Sequence, residues 1–261
     1  MLRTVTATRY VTALKEGGSL PGLVEADDCG LYVVKMRAAG QGTKALVAEI
    51  IVGELARTFG LPVPEIVLVE ISDQLGRTEP DPEINELVTG SAGINVGIDF
   101  LPGSLDYSAA RPELIDPELA SRVVVFDAYT TNVDRTPRNP NMLVWHRNPW
   151  LIDHGAALYQ HHGSPDLVSR AGDVFPQIAD HVLLPLASDL DGAERELVAR
   201  LTPEEITRAV ELVPGTLLGA DPGADRAMYV AYLTQRLHGS RPFAAEAARA
   251  RAALIGDADA S

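Results

Sequence analysis

Residues 132–155 read NVDRTPRNPNMLVWHRNPWLIDHG. In this stretch a carboxylate, Asp134, is followed by an amide, Asn141, then by an apolar run, and a second carboxylate, Asp153, opens the triplet Asp-His-Gly. Asp134 follows a predicted helix in a loop rich in arginine and proline, where irregular backbone makes a carboxylate accessible to a hydroxyl group. A polar hairpin built from turn-forming residues would explain the same pattern without any chemistry.

Two short strands, MLV after Asn141 and WLI before Asp153, predict a hairpin that brings these two side chains together. Both side chains offer hard oxygen atoms. Magnesium is held in proteins by few carboxylates, and its other positions are left to phosphate and water. An acceptor-side carboxylate followed by an amide and a second carboxylate is the order of parts used in phosphoryl transfer. The stretch therefore predicts half of a site for magnesium and phosphate.

Upstream of this stretch, the sequence predicts mostly strands. Runs rich in β-branched residues, bounded by glycine or proline, occupy residues 10–14, 30–37, 65–71 and 94–101. One helix is expected among them, because residues 44–59 carry apolar side chains at the spacing of one helical face and Gly60 follows. Residues 76–86 are interpreted as a polar connector that contains proline.

After Ser104 the pattern changes to helices. Helices are predicted at residues 117–131, 203–213, 225–237 and 243–255. We therefore expect an α+β fold with two lobes. A mostly β N-terminal lobe, with an antiparallel sheet and one helix, would span residues 1–97, and a hinge would span residues 98–103. A mostly α C-terminal lobe over residues 104–261 would carry the loop of Asp134 and the metal-binding hairpin.

Lys35 and Glu49 are candidate phosphate-site residues in the first lobe. Lys35 ends a predicted strand, and Glu49 lies in the first turns of the helix that follows. In kinases a strand lysine pairs with the α- and β-phosphates of ATP, while a helix carboxylate keeps it extended. Taken alone, a surface lysine and a solvated glutamate explain these two residues better.

Two further segments are candidates for nucleotide binding. Gly17, Gly18 and Ser19 lie between two predicted strands, where small residues let backbone N–H groups approach phosphate, although the glycines of a tight hairpin look the same. The segment GIDFLPGSL passes from a strand into Pro-Gly at the boundary between the lobes. Backbone groups of Asp99 and Leu101 can there face an adenine ring, and a simple strand-to-helix turn is the alternative.

The composition sets limits on the partners. The chain has 22 Lys and Arg against 36 Asp and Glu, a net charge of −14, so its surface repels nucleic acid and anionic membranes as a whole. A single cysteine, Cys29, cannot form an internal disulfide bond. The N-terminus does not resemble a signal peptide, and no run of residues is long and apolar enough to span a membrane. We expect a cytoplasmic protein.

With these residues in order, the sequence resembles the HipA-like kinase family, which is part of the wider protein-kinase-like superfamily with the phosphatidylinositol kinases and the aminoglycoside phosphotransferases. The resemblance covers approximately residues 9–157. It depends most on AEIIVGELARTFGLPVPE, on FDAYTTNVDRTPRNPNMLV and on WLIDHG. It implies a protein-kinase-like two-lobed fold, ATP and Mg²⁺ as cofactors, and IDFLPGS as the hinge.

The resemblance also implies roles for single residues. Lys35 resembles the ATP lysine, Glu49 its helix partner and Asp134 the catalytic aspartate. Asn141 resembles the amide ligand of magnesium and Asp153 the metal aspartate of the Asp-Phe-Gly position.

The sequence departs from the family at three points. The amide commonly lies five residues after the aspartate, which makes Asn139 the alternative to Asn141. We prefer Asn141 because it directly precedes an apolar strand. His154 replaces the phenylalanine of the Asp-Phe-Gly position, and nothing after Gly155 resembles the Ala-Pro-Glu segment that helps to hold protein substrates.

The remaining polar residues around this stretch have weaker interpretations. Asp127 and Asn132 either brace the loop through hydrogen bonds or end the preceding helix. Arg135 and Arg138 either contact the transferred phosphate or are solvated. The adjacent pair His161–His162 is a poor metal site, because neighbouring histidines are expected to point in different directions and to lack further ligands.

The sequence thus predicts an ATP-dependent kinase that phosphorylates a hydroxyl group, such as that of a protein serine or threonine. Two alternatives stay open. The altered loop spacing is compatible with a nucleotide-binding pseudokinase or regulatory module. The missing substrate-holding segment is compatible with a small-molecule kinase of the aminoglycoside or sugar type. No direct binding to nucleic acid or membrane is expected.

Overall fold

The computed structural model describes residues 1–14, 21–40, 42–78, 80–163 and 166–259. Its strands and helices are β1 (Thr4–Ala13), β2 (Gly22–Ala26), β3 (Leu31–Lys35), α1 (Gly42–Phe59), β4 (Ile66–Ile71), α2 (Pro82–Gly90), β5 (Gly93–Asp99), β6 (Leu105–Asp106), α3 (Pro117–Thr130), β7 (Met142–Trp145), β8 (Asn148–Leu151), α4 (Leu190–Arg200), α5 (Pro203–Glu211), α6 (Pro222–His238) and α7 (Pro242–Asp259). The expected mixture of strands and helices is confirmed, with most strands before residue 106 and most helices after it.

The first five strands form a closed barrel in the order β1-β2-β3-β5-β4. The expectation of an antiparallel sheet is wrong at one seam, because β1 pairs in parallel with β4, for example Val5 with Val69. Val5 and Ala7 alternate with exposed neighbours and turn into the barrel, where they join a core that includes Val24 and Val34. The parallel seam pairs both sheet edges and so leaves no open edge.

The helix content of this region also differs from the expectation. Helix α1 is buried on nearly every side, because it packs against β4 and β5 on one side and against α4 and α5 on the other. The helix predicted at residues 44–59 is thus present, but its buried residues extend beyond one face. A second helix, α2, occupies the segment interpreted as a connector. Asp81 caps it by accepting hydrogen bonds from the N–H groups of Glu83 and Ile84, and Pro82 takes the first helical position, which suits proline.

After the barrel, the chain forms a small sheet and a group of packed helices. Helix α3 begins where the sequence predicts it, and Asp116 caps it by accepting from the N–H groups of Glu118 and Leu119. Helix α3 lies in the centre of this region and packs against α4, α6 and α7. Strands β7 and β8 form the predicted hairpin, and β6 adds a third strand beside β7. One apolar core joins α1 to the C-terminal helices. Within the described part of the chain, none of the helices has the length and apolarity needed to cross a membrane.

Candidate active site

Lys35 is the centre of a buried ionic cluster. It ends β3, whose pairing with β5 sets Lys35 opposite Val96, and its side chain is only 9% exposed. The ammonium group donates one hydrogen bond to the carboxylate of Glu49, on the buried helix α1, and a second to Oδ1 of Asp153 at 2.5 Å. The strand lysine, the helix carboxylate and the second carboxylate of the Asp-His-Gly triplet are therefore in direct contact, although they are up to 118 residues apart in sequence.

The cluster fixes the charges of its members. Burial by itself lowers the pKa of Lys35, but the carboxylates of Glu49 and Asp153 outweigh burial and raise it, so Lys35 is an ammonium ion. Burial by itself raises the pKa of Asp153, whereas Lys35 lowers it more strongly, with help from the N–H group of Gly155. Asp153 is thus a carboxylate, and 38% of its side chain remains exposed for further contacts.

Asp134 lies in the loop between α3 and β7, and two amides of the same loop bind its carboxylate. Oδ2 accepts a hydrogen bond from Nδ2 of Asn139 at 2.8 Å and another from Nδ2 of Asn141 at 3.2 Å. The backbone N–H of Asp134 donates to Oδ1 of Asn132 at 3.1 Å. Both amides that the sequence offers as metal ligands therefore contact Asp134, but Asn139 is exposed and Asn141 is buried.

Asn141 and Asp153 flank the β7–β8 hairpin, as the sequence predicts. The carbonyl oxygen of Asn141 accepts a hydrogen bond from the N–H of Ile152 at 3.0 Å, so the pairing of the two strands continues up to Asp153. Both residues have left-handed backbone, with φ of 47° at Asn141 and 53° at Asp153. Left-handed backbone at a non-glycine residue costs on the order of 1 kcal/mol of conformational free energy, and such residues cluster at functional sites.

The candidate residues meet in one cavity of about 630 Å³. Its lining includes Lys35, Asp99, Leu101, Asp134, Asn139, Asn141 and Asp153. The N–H of Asp99 donates to the carbonyl of Glu65 at 2.9 Å, so this N–H group is already occupied. Glu49 lies behind Lys35 and does not line the cavity. Gly17, Gly18 and Ser19 lie outside the described residues.

The structure also brings residues into the cavity that sequence reasoning missed. Apolar side chains of Val33, Ile98, Leu143 and Ile152 line it. Val33 lies two positions before Lys35 on β3 and therefore faces the same way, because side chains alternate along a strand. The alternation of side chains along the predicted strand could therefore have identified Val33 as a cavity residue from the sequence.

Two of the weaker sequence interpretations change, those of Arg135 and of the pair His161–His162. Arg135 is fully buried and donates to Asp127, so it does not face the cavity as a phosphate ligand. Arg138 is exposed. His161 and His162 do not point apart, because their Nε2 atoms are 3.0 Å from each other. His181 was missed entirely, although its Nε2 atom contacts Asp127 at 2.9 Å.

The donor set for a cation is small. Among the described residues, no group of three or more His, Cys, Asp and Glu side chains has the arrangement of a metal site. A carboxylate of Asp153 and an amide oxygen of Asn141, with water and phosphate completing the shell, would nevertheless fit magnesium, which is bound in proteins by one or two carboxylates plus substrate phosphates. The residues present therefore fit a nucleotide-borne magnesium ion better than a site made of protein ligands alone.

Comparison with known proteins gives a matching family and a similar fold. Residues 8–197 match the family model of the HipA-like kinases. Among solved structures, the crystal structure of the Helicobacter pylori proinflammatory kinase CtkA is similar, with a TM-score of 0.59 at 13% sequence identity, over 98% of this chain and 99% of that chain. At this identity the similarity concerns the fold alone. No curated protein matches the chain significantly. The family match covers most of the chain, which therefore belongs to the HipA-like kinase family.

Proposed function

We propose that the protein is an ATP-dependent, magnesium-requiring kinase that transfers the γ-phosphoryl group to a hydroxyl acceptor. The observation that carries the proposal is the contact of Lys35 with both Glu49 and Asp153 at the wall of the cavity that Asp134 and Asn141 also line. In this proposal the chain has the two-lobed arrangement of kinases, with lobes at residues 1–97 and 104–261 and the hinge at 98–103.

The nucleotide would occupy the cavity with its adenine ring beside the hinge. The carbonyl of Asp99 and the backbone of Leu101 would contact the ring edge, and apolar side chains such as Val33 and Ile98 would cover its faces. Lys35 would contact the α- and β-phosphates, and Glu49 would keep its ammonium group extended into the cavity. Gly17, Gly18 and Ser19, which lie outside the described residues, are kept in the proposal as phosphate-binding residues.

Asn141 and Asp153 would hold magnesium, which neutralises charge on the phosphates when bound. Asn141 is preferred to Asn139 for two reasons. Its backbone is tied to Ile152, next to Asp153, and its amide nitrogen already donates to Asp134, which turns the amide oxygen away from Asp134. Asn139 is exposed and would serve to orient Asp134 through its hydrogen bond of 2.8 Å.

Asp134 would orient the acceptor hydroxyl and accept its proton. Two amides donate to Oδ2, and among the described residues no hydrogen bond reaches Oδ1, which is left for the hydroxyl. Most of the rate enhancement in phosphoryl transfer comes from positioning and charge neutralisation, and the hydrogen bonds of this loop contribute the positioning.

The acceptor class separates the proposal from its alternatives. Three alternatives fit the cavity. The acceptor is a protein, or it is a small molecule of the aminoglycoside or sugar type, or the chain is a pseudokinase that binds ATP without turnover. Labelled ATP incubated with a protein extract and, separately, with a pool of metabolites distinguishes the first two. Nucleotide-induced thermal stabilisation without phosphate transfer identifies the third.

The catalytic assignment is tested by ATP consumption and by thermal stabilisation with ATP and Mg²⁺. Asp153→Ala is expected to abolish both turnover and the magnesium-dependent part of the stabilisation. Asp134→Ala is expected to abolish turnover and to keep the stabilisation. Asp191→Ala, which removes an exposed carboxylate in the first turn of α4, is the matched control and is expected to behave as wild type. Normal turnover in both site variants would contradict the proposal.

A further inference from the structure

Asp127 is a buried carboxylate in the last turn of α3, and it does not line the cavity. It accepts three side-chain hydrogen bonds. Oδ2 accepts from Nε of Arg135 at 2.6 Å and from Nε2 of His181 at 2.9 Å, and Oδ1 accepts from Nδ2 of Asn132 at 3.2 Å. A buried carboxylate is costly to desolvate, so the number of donors around this one requires an explanation.

One path from Asp127 leads to Asp134 through Asn132. The amide nitrogen of Asn132 donates to Asp127, and its amide oxygen accepts the backbone N–H of Asp134 at 3.1 Å. Both ends of this side chain are therefore occupied, and its orientation is fixed. The side chain of Asn132 therefore fixes the backbone of Asp134 relative to Asp127 on helix α3.

A second path leads to Asn141 through Arg135. The guanidinium group of Arg135 donates Nε to Asp127 and Nη1 to the carbonyl oxygens of Asn141 and, at 3.5 Å, Pro140. The planar guanidinium group holds these partners in a fixed relation, which a flexible ammonium group would not do. Arg135 thereby ties the end of the loop, where Asn141 has left-handed backbone, back to helix α3.

His181 completes the arrangement from a distant part of the chain. Its Nδ1 atom accepts the N–H of Leu183 at 3.1 Å, so the ring proton is on Nε2, which donates to Asp127. The neighbouring N–H of Val182 donates to the carbonyl of Arg135 at 3.0 Å. Segment 181–183 thus holds both Asp127 and the loop backbone.

We propose that Asp127 is a positioning residue, which with Arg135, Asn132 and His181 sets the relative placement of Asp134 and Asn141. We call these four residues the loop brace. Its kinetic consequences rest on the proposed function, but its structural consequence, an ordered loop at residues 132–141, does not.

The test measures hydrogen–deuterium exchange of the loop together with steady-state kinetics. In Asp127→Asn, amides in residues 132–141 are expected to exchange about tenfold faster than in wild type. Because misplacement of reacting groups by about 1 Å costs on the order of 100-fold, kcat is expected to fall by up to about 100-fold. At saturating Mg²⁺, KM for ATP is expected to stay within about threefold, because among the described residues Lys35 donates only to Glu49 and Asp153 and not to the brace.

A second pair of variants keeps the test independent of the folding of Asp127→Asn, which leaves Arg135 without its counter-charge. His181→Ala removes a neutral donor from the brace. Ser121→Ala is its matched control, because the hydroxyl of Ser121 also lies on α3 and also binds the downstream segment, by accepting from the N–H groups of Ser188 and Asp189. Both variants remove buried hydrogen bonds of α3, but only one removes a contact of the brace.

The outcomes separate the two proposals. Faster loop exchange in His181→Ala and not in Ser121→Ala supports the brace, with or without measurable turnover. Unchanged loop exchange in His181→Ala, or equal changes in both variants, overturns it. If wild type binds no nucleotide while the exchange result holds, the proposed function fails and the brace stands. If wild type turns over ATP and His181→Ala keeps the kcat and loop exchange of wild type, the brace fails and the proposed function stands.

Discussion

Substituting Lys35 and substituting Glu49, which form one buried ion pair, are expected to lower the unfolding free energy by different amounts. Lys35→Met leaves Glu49, which is 1% exposed, without its cation. A buried charge that loses its partner costs about 3–5 kcal/mol of unfolding free energy. Glu49→Gln leaves Lys35 with Asp153, at 2.5 Å, and with an amide oxygen in the place of the lost carboxylate. We therefore expect a smaller loss, at most about 1.5–3 kcal/mol, which is the contribution of one hydrogen bond to a charged group.

The double variant Lys35→Met/Glu49→Gln decides whether the two residues act as a pair. The double variant removes both charges, so neither Lys35 nor Glu49 leaves the other as an unpaired buried ion. Its loss of unfolding free energy is expected to be at least about 1 kcal/mol smaller than the sum of the losses in the two single variants. Urea denaturation of the four proteins, followed by fluorescence or circular dichroism, measures the coupling. Additive losses, or a loss in Glu49→Gln equal to that in Lys35→Met, would refute the reasoning.

Three further predictions concern pH, metal and helix capping. Burial lowers the pKa of His161 to about 3 and also lowers the pKa of His181. As pH falls below about 6.5, these two histidines therefore bind protons in the unfolded chain before they do so in the folded protein. The unfolding free energy should then decline by at most about 1.4 kcal/mol for each histidine and each unit by which the pH falls. Denaturation midpoints between pH 7 and 5 that show no decline would contradict this. Asn141→Ala should raise the Mg²⁺ concentration needed for ATP binding more than Asn139→Ala does, and the reverse order in a magnesium titration would reassign the ligand. Asp116→Ala removes the cap of α3 and should cost about 1 kcal/mol in urea denaturation, whereas an unchanged midpoint would show that the cap contributes nothing.

The local parts of the site could be predicted from the sequence because each is carried by a short pattern. The apolar runs around Asn141 and Asp153 predict a hairpin, and that hairpin is present. Asp116 before a proline predicts the start of α3, and α3 begins there. Helix α2 carries the same Asp-Pro signal at Asp81, but the polar residues and prolines around it favour a connector.

The distant parts could not be predicted in the same way. His181 contacts Asp127 across 54 residues, and no periodicity joins two positions so far apart. Arg135 is buried against Asp127, whereas the sequence offers only a phosphate contact or a solvated side chain for it. The parallel pairing of β1 with β4 is also non-local, because it is set by closure of the barrel and not by a turn between the two strands.

The most direct test of the proposed site is a crystal structure with a non-hydrolysable ATP analogue and Mn²⁺, whose anomalous signal locates the metal. We expect the adenine ring beside Asp99 and Leu101, the ammonium group of Lys35 on the α- and β-phosphates, and the metal between Asn141, Asp153 and the phosphates. A nucleotide bound outside this cavity, or a metal that contacts neither Asp153 nor Asn141, would contradict the account.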